Sequence, residues 1–319
     1  HQNAVDSYRE AIHINPDDLD TRTVIGHSYL ILGNNKEAIV QLKKALELDP
    51  NNFSSNINYA MAHANLDKHA VAIIFFEAAV RIKPDSFHAQ NALGFGYLEL
   101  EKFQKSIGPL KKAIQLISSI SGSLRTDFLD PHYLLGYAYD NLDQYEEAIS
   151  SYKKAISLNP NTDSAHEKLG EIYMWQGKMN TALISLIEAD RIHPNDPHIL
   201  SDLGIVYSQL EKPKKAMEVL ERALANNPDS QSLLQEIYGN LSEVYESLKR
   251  YDDAIATAKK TLEIEYDDAM SNYILGLSYD AKEDGLKAIT HMLVATKNFR
   301  IDSKGLEKND RWAKRTYRT

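Results

Sequence analysis

A 34-residue internal period is the feature that most constrains how this 319-residue chain can fold. Six of its ten prolines recur at spacings of 34, 34, 76, 34 and 34 residues. A period of this length is typical of a solenoid, in which each repeat is one supersecondary unit that buries its apolar face only against its neighbours. The six prolines are Pro16, Pro50, Pro84, Pro160, Pro194 and Pro228.

The pattern within each period predicts two helices. Apolar residues recur at three- and four-residue spacing, which indicates two amphipathic helices of about a dozen residues each. Gly and Ala fall where two antiparallel helices must approach closely, and larger Leu and Tyr side chains fill the space between layers. Proline after Asn or Asp ends the second helix, because it lacks an amide hydrogen and disfavours helix in the residue before it.

Small and aromatic residues recur in the same register as the prolines. One unit shows the columns in full, with Leu203, Gly204, Tyr207, Ala216, Ala223 and Pro228. This pattern resembles the tetratricopeptide repeat, whose signature is Leu-Gly-x-x-Tyr followed by alanines and a proline. The resemblance covers nearly the whole chain. It implies an all-α, right-handed superhelical solenoid of stacked antiparallel helix pairs.

The register divides the chain into three parts. Residues 1–18 match only the second helix of a repeat, so we expect the sequence to begin within a longer protein. Residues 19–302 hold eight repeats, with insertions at 118–128 and 231–234; the first insertion is either a tolerated surface connection or a partner-contacting loop. Residues 303–319 are basic and form either a capping helix or a tail. The repeats are 19–52, 53–86, 87–120, 129–162, 163–196, 197–230, 235–268 and 269–302.

Composition and motifs exclude several classes of function. The chain has no Cys, so disulfides, thiolate metal sites and Cys nucleophiles are excluded. The sequence has no apolar run near the ~18 residues of a membrane helix, and no phosphate-binding, zinc-protease or serine-hydrolase motif. We therefore predict a non-enzymatic protein that needs no cofactor or metal. The compartment stays open, with the cytoplasm slightly favoured over the periplasm.

In arrays of this family the first helices line a concave groove where partners dock, so the resemblance implies such a groove here. Its middle would be aromatic and its later part acidic. This favours a protein or peptide segment with apolar anchors and Lys or Arg. The alternative is that the carboxylates form a solvated face and the aromatics pack between helices. The predicted groove residues are Met61, Phe95, Tyr133, Tyr137, Asp140, Glu167, Glu171, Met174, Trp175, Asp202, Glu236 and Glu243.

Other partners fit the sequence less well. The net charge of −9 argues against nucleic acid. Co-chaperones of the family clamp a C-terminal carboxylate with Lys and Asn, and of the corresponding residues in the first three repeats only Asn58 fits, so no clamp is expected. Ile74 and Phe75 predict an apolar patch on the outer side, for self-association or another protein contact, unless they pack against the N-terminal portion.

Two classes of function remain. The first is an interaction scaffold or adaptor that binds a peptide or protein segment in the groove. The alternative is a substrate-recruiting arm of a larger enzyme, for example a glycosyltransferase, or of a secretion or assembly machine.

Overall fold

A computed structural model describes residues 2–118, 130–228 and 230–305, and these residues form seventeen α-helices with no strand among them. The helices fall into two compact units, His1–Leu158 with α1–α9 and Asn159–Thr319 with α10–α17. Within each unit, consecutive helices pack as pairs. The helices are α1 Gln2–Ile14, α2 Leu19–Ile31, α3 Asn35–Leu48, α4 Phe53–Ala64, α5 His69–Ile82, α6 Phe87–Glu99, α7 Phe103–Ser118, α8 Pro131–Asn141, α9 Tyr145–Leu158, α10 Asp163–Trp175, α11 Met179–Ile192, α12 Pro197–Gln209, α13 Pro213–Ala225, α14 Gln231–Ser247, α15 Tyr251–Ile264, α16 Ala269–Ala281 and α17 Gly285–Gly305.

The glycine column is explained by the distance between paired helices. A Cβ added at Gly204 of α12 would lie 2.5 Å from Leu220 Cγ of α13, closer than any carbon contact allows. The same clash would arise at Gly136 in α8, at 2.7 Å from the Tyr152 ring of α9. The missing side chain therefore lets a large residue of the second helix seat against the backbone of the first.

One repeat fills the space between its two paired helices with a different pair of residues. In α14 the glycine column holds Ser242, and in α15 the position equivalent to Leu220 holds Ala258; both residues are fully buried. The serine adds atoms on one side of the seam, and the alanine removes more on the other. The total volume between paired helices is therefore the constrained quantity.

Polar side chains fix the turn between repeats. The residue before most first helices accepts hydrogen bonds from the helix amides; Asp196 Oδ1 accepts from the His198 amide at 2.8 Å. A cap of this kind stabilises a helix by about 1 kcal/mol. Six residues after four of the prolines, a side chain also reaches back to the proline carbonyl oxygen. These contacts are Arg22 to Pro16 at 2.6 Å, Asn56 to Pro50 at 2.9 Å, Gln90 to Pro84 at 2.8 Å and His166 to Pro160 at 3.2 Å.

The N-terminal helix α1 packs against α2. Val5 of α1 is fully buried and belongs to one core cluster with Ile25 and Tyr29 of α2. Arg9 Nε donates a hydrogen bond to the Tyr29 hydroxyl at 2.9 Å. The first complete pair, α2 and α3, is therefore covered on this side by α1.

Three segments depart from the 34-residue period, and the structure describes them to different extents. Residues 231–234 are helical and form the first turn of α14, which reaches 17 residues. Of the insertion at 118–128, Ser118 ends α7 and the remainder lies outside the described residues. Of 303–319, the first three residues end α17, and 306–319, on which the capping-helix and tail interpretations depend, also lie outside them. None of the described helices is both long and apolar enough to cross a membrane.

Candidate partner-binding groove

Three first helices of the second unit surround a small cavity. Helices α10, α12 and α14 lie side by side, because each belongs to the first position of its pair. The cavity has a volume of about 150 Å³. Its lining residues are Glu167 and Glu171 from α10, His198, Ser201 and Asp202 from α12, and Leu233 and Glu236 from α14.

The helical register explains why these side chains meet. Glu167 and Glu171 are four residues apart and therefore lie on one face of α10. Ser201 occupies in α12 the column that Glu167 occupies in α10, with Asp202 next to it. Leu233 comes from the inserted first turn of α14 and is buried, so the insertion supplies the apolar part of the lining.

Carboxylates dominate the electrostatics of the cavity. Its described lining contains four carboxylates and no Lys or Arg. Just outside the lining, Lys168 Nζ contacts Glu171 Oε1 at 2.6 Å, and inside it Ser201 Oγ donates to Glu236 Oε1 at 3.0 Å. Neighbouring negative charges in a partly desolvated site favour the arrival of a cation.

Burial and the neighbouring charges together raise the pKa of the Glu167 carboxyl. Burial raises the pKa of its carboxyl, and the charges of Glu171 and Asp196 raise it further against the opposing effects of Lys168 and His198. A positive group placed beside Glu167 would lower this pKa and favour the ionised form. Among the described residues, no three His, Asp or Glu side chains are arranged to hold a metal ion.

Glu243 lies outside this cavity. It belongs to α14, about two turns beyond Glu236, and is not one of the lining residues. Burial raises the pKa of Glu243 to about 7, with a further contribution from the charge of Asp268, the residue that caps α16. The structure thus separates Glu243 from the four acidic residues that it brings together.

The three aromatic residues of the predicted groove that belong to the first unit are partly exposed, and two of them have ring partners. Tyr137 of α8 contacts the Phe103 ring edge-on, with centroids 6.2 Å apart, and Tyr133 contacts Tyr152 at 5.6 Å. Phe95, on the neighbouring first helix α6, is half-buried. The Tyr133 and Tyr137 rings are therefore supported by neighbouring rings, and all three side chains still expose part of their surface.

The other predicted residues differ in accessibility. Met174 is only 7% exposed, so it is a packing residue rather than a groove surface, and here the prediction needs correction. Trp175 and Asp140, each near the end of a first helix, are half-buried. Met61 packs against the core cluster around Phe76.

The predicted outer patch is smaller than expected. Ile74 is 60% exposed, but Phe75 is half-buried and packs edge-on against the Tyr59 ring, with centroids 4.6 Å apart. The Val71 side chain, one turn before Ile74, is 37% exposed. The patch is therefore two aliphatic side chains on α5 rather than an Ile–Phe pair.

Sequence analysis missed three of the cavity residues. His198, Ser201 and Leu233 were absent from the predicted groove, although Ser201 occupies the same repeat position as Glu167. Leu233 lies in the inserted turn, whose conformation the repeat pattern leaves open. The column of Glu167 points to Ser201, and a helix that includes residues 231–234 points to Leu233.

Stacked helix pairs, with the first helices of successive pairs side by side, define the class of helical-repeat interaction scaffolds. Models described as "TPR repeat" match residues 26–67 and 141–177, and models described as "Tetratricopeptide repeat" match residues 53–86 and 209–273. The chain belongs to the tetratricopeptide repeat family. No curated protein matches the sequence significantly.

Solved structures show the same fold at low sequence identity. PilW, a widely conserved type IV pilus biogenesis factor, is 21% identical with a TM-score of 0.57, covering 67% of this chain and 96% of PilW. A tetratricopeptide repeat protein from Parabacteroides merdae is 17% identical with a TM-score of 0.54, covering 86% and 99%. A chain of the APC/C hetero-tetramer Cut9-Hcn1 is 19% identical with a TM-score of 0.53. That match covers 96% of this chain and 56% of the other, so this chain spans about half of its length.

Proposed function

We propose that this protein is a non-enzymatic scaffold that binds an extended or helical segment of a partner protein along the first helices of its repeats. In this proposal a Lys or Arg side chain of the segment enters the cavity between α10, α12 and α14. The observation that carries the proposal is the convergence of four carboxylates from three helices on one cavity.

The chemistry of the cavity favours a basic side chain over other ligands. A guanidinium or ammonium group donates several hydrogen bonds and accepts none, which matches a lining of carboxylate acceptors. The aliphatic stem of Lys or Arg can pack on Leu233, because such side chains bury their methylenes beside apolar surface. Phosphate-bearing and acidic ligands would be repelled by the same carboxylates.

The aromatic first-helix residues of the other unit provide a second contact region in this proposal. Phe95, Tyr133 and Tyr137 are partly exposed on α6 and α8. Aromatic residues at the centre of an interface supply much of its binding energy, whereas charges contribute more to specificity and association rate. We therefore propose apolar anchors for this region and a basic residue for the cavity.

The test is a peptide array in which each Lys or Arg is paired with a Gln substitution at the same position. We expect binding to the wild-type protein to depend on a basic residue. The variant Glu167→Gln/Glu236→Gln keeps the side-chain shapes and removes two charges, and should bind the selected peptides about tenfold more weakly.

The matched control carries the same change of charge elsewhere. Glu218 and Glu263 lie exposed on the second helices α13 and α15, so Glu218→Gln/Glu263→Gln should bind within about twofold of wild type. Equal weakening by both double variants would reduce the effect to net charge and contradict the proposal. Peptide binding that does not depend on the basic residue would also contradict the proposal.

A further inference from the structure

The packing of the second unit does not require one of its helical glycines. Gly239 lies inside α14, and a Cβ added there would meet no atom of the described residues within 4 Å. At Gly204 of α12, by contrast, an added Cβ would lie 2.5 Å from Leu220 Cγ. Glycine makes a helix less stable than alanine does, so Gly239 lowers the stability of α14 without a packing contact that depends on it.

Gly239 lies on the face of α14 that borders the acidic cavity. Glu236, one of the lining residues, precedes it by three positions, and this spacing places both residues on one helix face. Gly239 also occupies the repeat position of Glu167 in α10 and Ser201 in α12, which both line the cavity. Where those two helices present a side chain, α14 leaves an open gap.

The next first helix, α16, has an aromatic residue at the same repeat position. This residue is Tyr273, and its side chain is 39% exposed. Met270 and Leu277, three residues before it and four residues after it, lie on the same face and are partly exposed. Because α14 and α16 are in contact, the row of first helices changes from carboxylates to apolar side chains across Gly239.

We propose that the partner segment whose basic side chain enters the acidic cavity crosses α14 at Gly239 in an extended conformation and places an apolar side chain on Tyr273. This inference rests on the proposed function, because the cavity fixes the point from which the segment crosses. An extended main chain can approach a surface that lacks a side chain, whereas the main chain of a helix is enclosed by its own side chains. Gly239 is then the point of closest approach.

The spacing of the helices sets the spacing of the two anchoring side chains. Packed helices lie about 8–10 Å apart, so α16 lies about 16–20 Å from α12, the central helix of the cavity. An extended chain advances about 3.3 Å per residue, so the apolar residue should lie about five or six residues from the basic one. A helical segment, which advances about 1.5 Å per residue, would need about 11 to 13 residues for the same distance.

Fluorescence anisotropy with a labelled basic peptide from the array tests the crossing point. Gly239→Ala should weaken binding about threefold and Gly239→Leu at least about tenfold, because each side chain fills the gap that the peptide main chain occupies. The urea midpoint of neither variant should fall, since the space around the new Cβ is open. The controls are Gly108→Ala and Gly108→Leu on the second helix α7, where an added Cβ also meets nothing within 4 Å among the described residues, and both should bind like the wild type.

An alanine scan of the same peptide tests the direction and the conformation of the segment. A second sensitive position should be apolar and lie about five or six residues from the basic one, and Tyr273→Ala should make that position insensitive. A sensitive apolar position about 11 to 13 residues away, or no effect of Tyr273→Ala, overturns the extended path. Wild-type affinity of Gly239→Leu for a peptide that still depends on its basic residue overturns the crossing at Gly239 and leaves the proposed function intact. The absence of any peptide that depends on a basic residue overturns both.

Discussion

Gly204→Ala tests the packing that creates the repeat. The new methyl group would lie 2.5 Å from the Cγ and Cδ2 atoms of Leu220, a side chain that is fully buried. Overpacking of this kind costs about 1–3 kcal/mol. Replacing glycine by alanine in a helix returns about 0.5–1 kcal/mol, so the expected net loss in the free energy of unfolding is about 1–2 kcal/mol.

Gly239→Ala is the matched control for this experiment. Gly239 lies inside α14, but a Cβ added there would meet nothing within 4 Å. Only the gain in helix propensity remains, and the free energy of unfolding should rise by up to about 1 kcal/mol. The same substitution is thus expected to change stability in opposite directions at two helical glycines.

Urea unfolding followed by far-ultraviolet circular dichroism measures both variants under one condition. The midpoint of Gly204→Ala should fall and that of Gly239→Ala should rise, each with an unchanged slope. If Gly204→Ala were as stable as the wild type, the close approach of paired helices would not be the reason for the glycine column.

Three more predictions concern stability. Ala258→Leu alone should destabilise the protein by about 1–3 kcal/mol, and adding Ser242→Gly should recover most of the loss; urea unfolding of both variants decides whether volume across the seam is conserved. Glu243 has a pKa of about 7 against 4.5 when unfolded, so its stabilising effect is present at low pH and lost as pH rises through about 7. Glu243→Gln should therefore be more stable than the wild type at about pH 8, by about 1–3 kcal/mol, and similar to it at about pH 4, below the unfolded pKa; an unchanged difference across this range would refute the assignment. Burial, with a smaller effect of Lys68, lowers the pKa of His63 below 6.5, so the stability that the neutral ring contributes is lost as pH falls from 6.5. His63→Phe should flatten the acid side of the stability profile, and a profile that keeps its slope would show that another group is responsible.

The fold followed from the sequence because the spacing of small and large residues is set by contacts within each pair. Glycine in one column and leucine in another are two sides of the same contact, as Gly204 and Leu220 show. This relation is local in sequence, about 16 residues apart, and repeats along the chain. A single sequence therefore carries many independent examples of it.

The candidate site was only partly predictable. The register placed Glu167, Glu171, Asp202 and Glu236 on first helices, and the structure brings all four to one cavity. The exposure of a side chain depends on small rotations of each helix, which the period does not specify. Met174 was predicted to line the groove, and it is buried.

The side chains that reach back to the proline carbonyl oxygens were also beyond sequence analysis. Arg, Asn, Gln and His occupy that position in different repeats. They differ in residue type, but each donates a hydrogen bond from a side-chain nitrogen. His166 belongs to this group, with its Nε2 atom 3.2 Å from the Pro160 carbonyl oxygen. A pattern search by residue type overlooks such a column.

A double-mutant cycle tests the central claim, that the acidic cavity receives a basic side chain of a partner. Isothermal titration calorimetry would measure a basic peptide from the array and its Gln counterpart against the wild type and Glu167→Gln/Glu236→Gln. We predict a coupling energy of about 1 kcal/mol between the peptide's basic residue and the two carboxylates, which is most of the expected tenfold loss of affinity. A coupling energy near zero, with both changes additive, would contradict the claim.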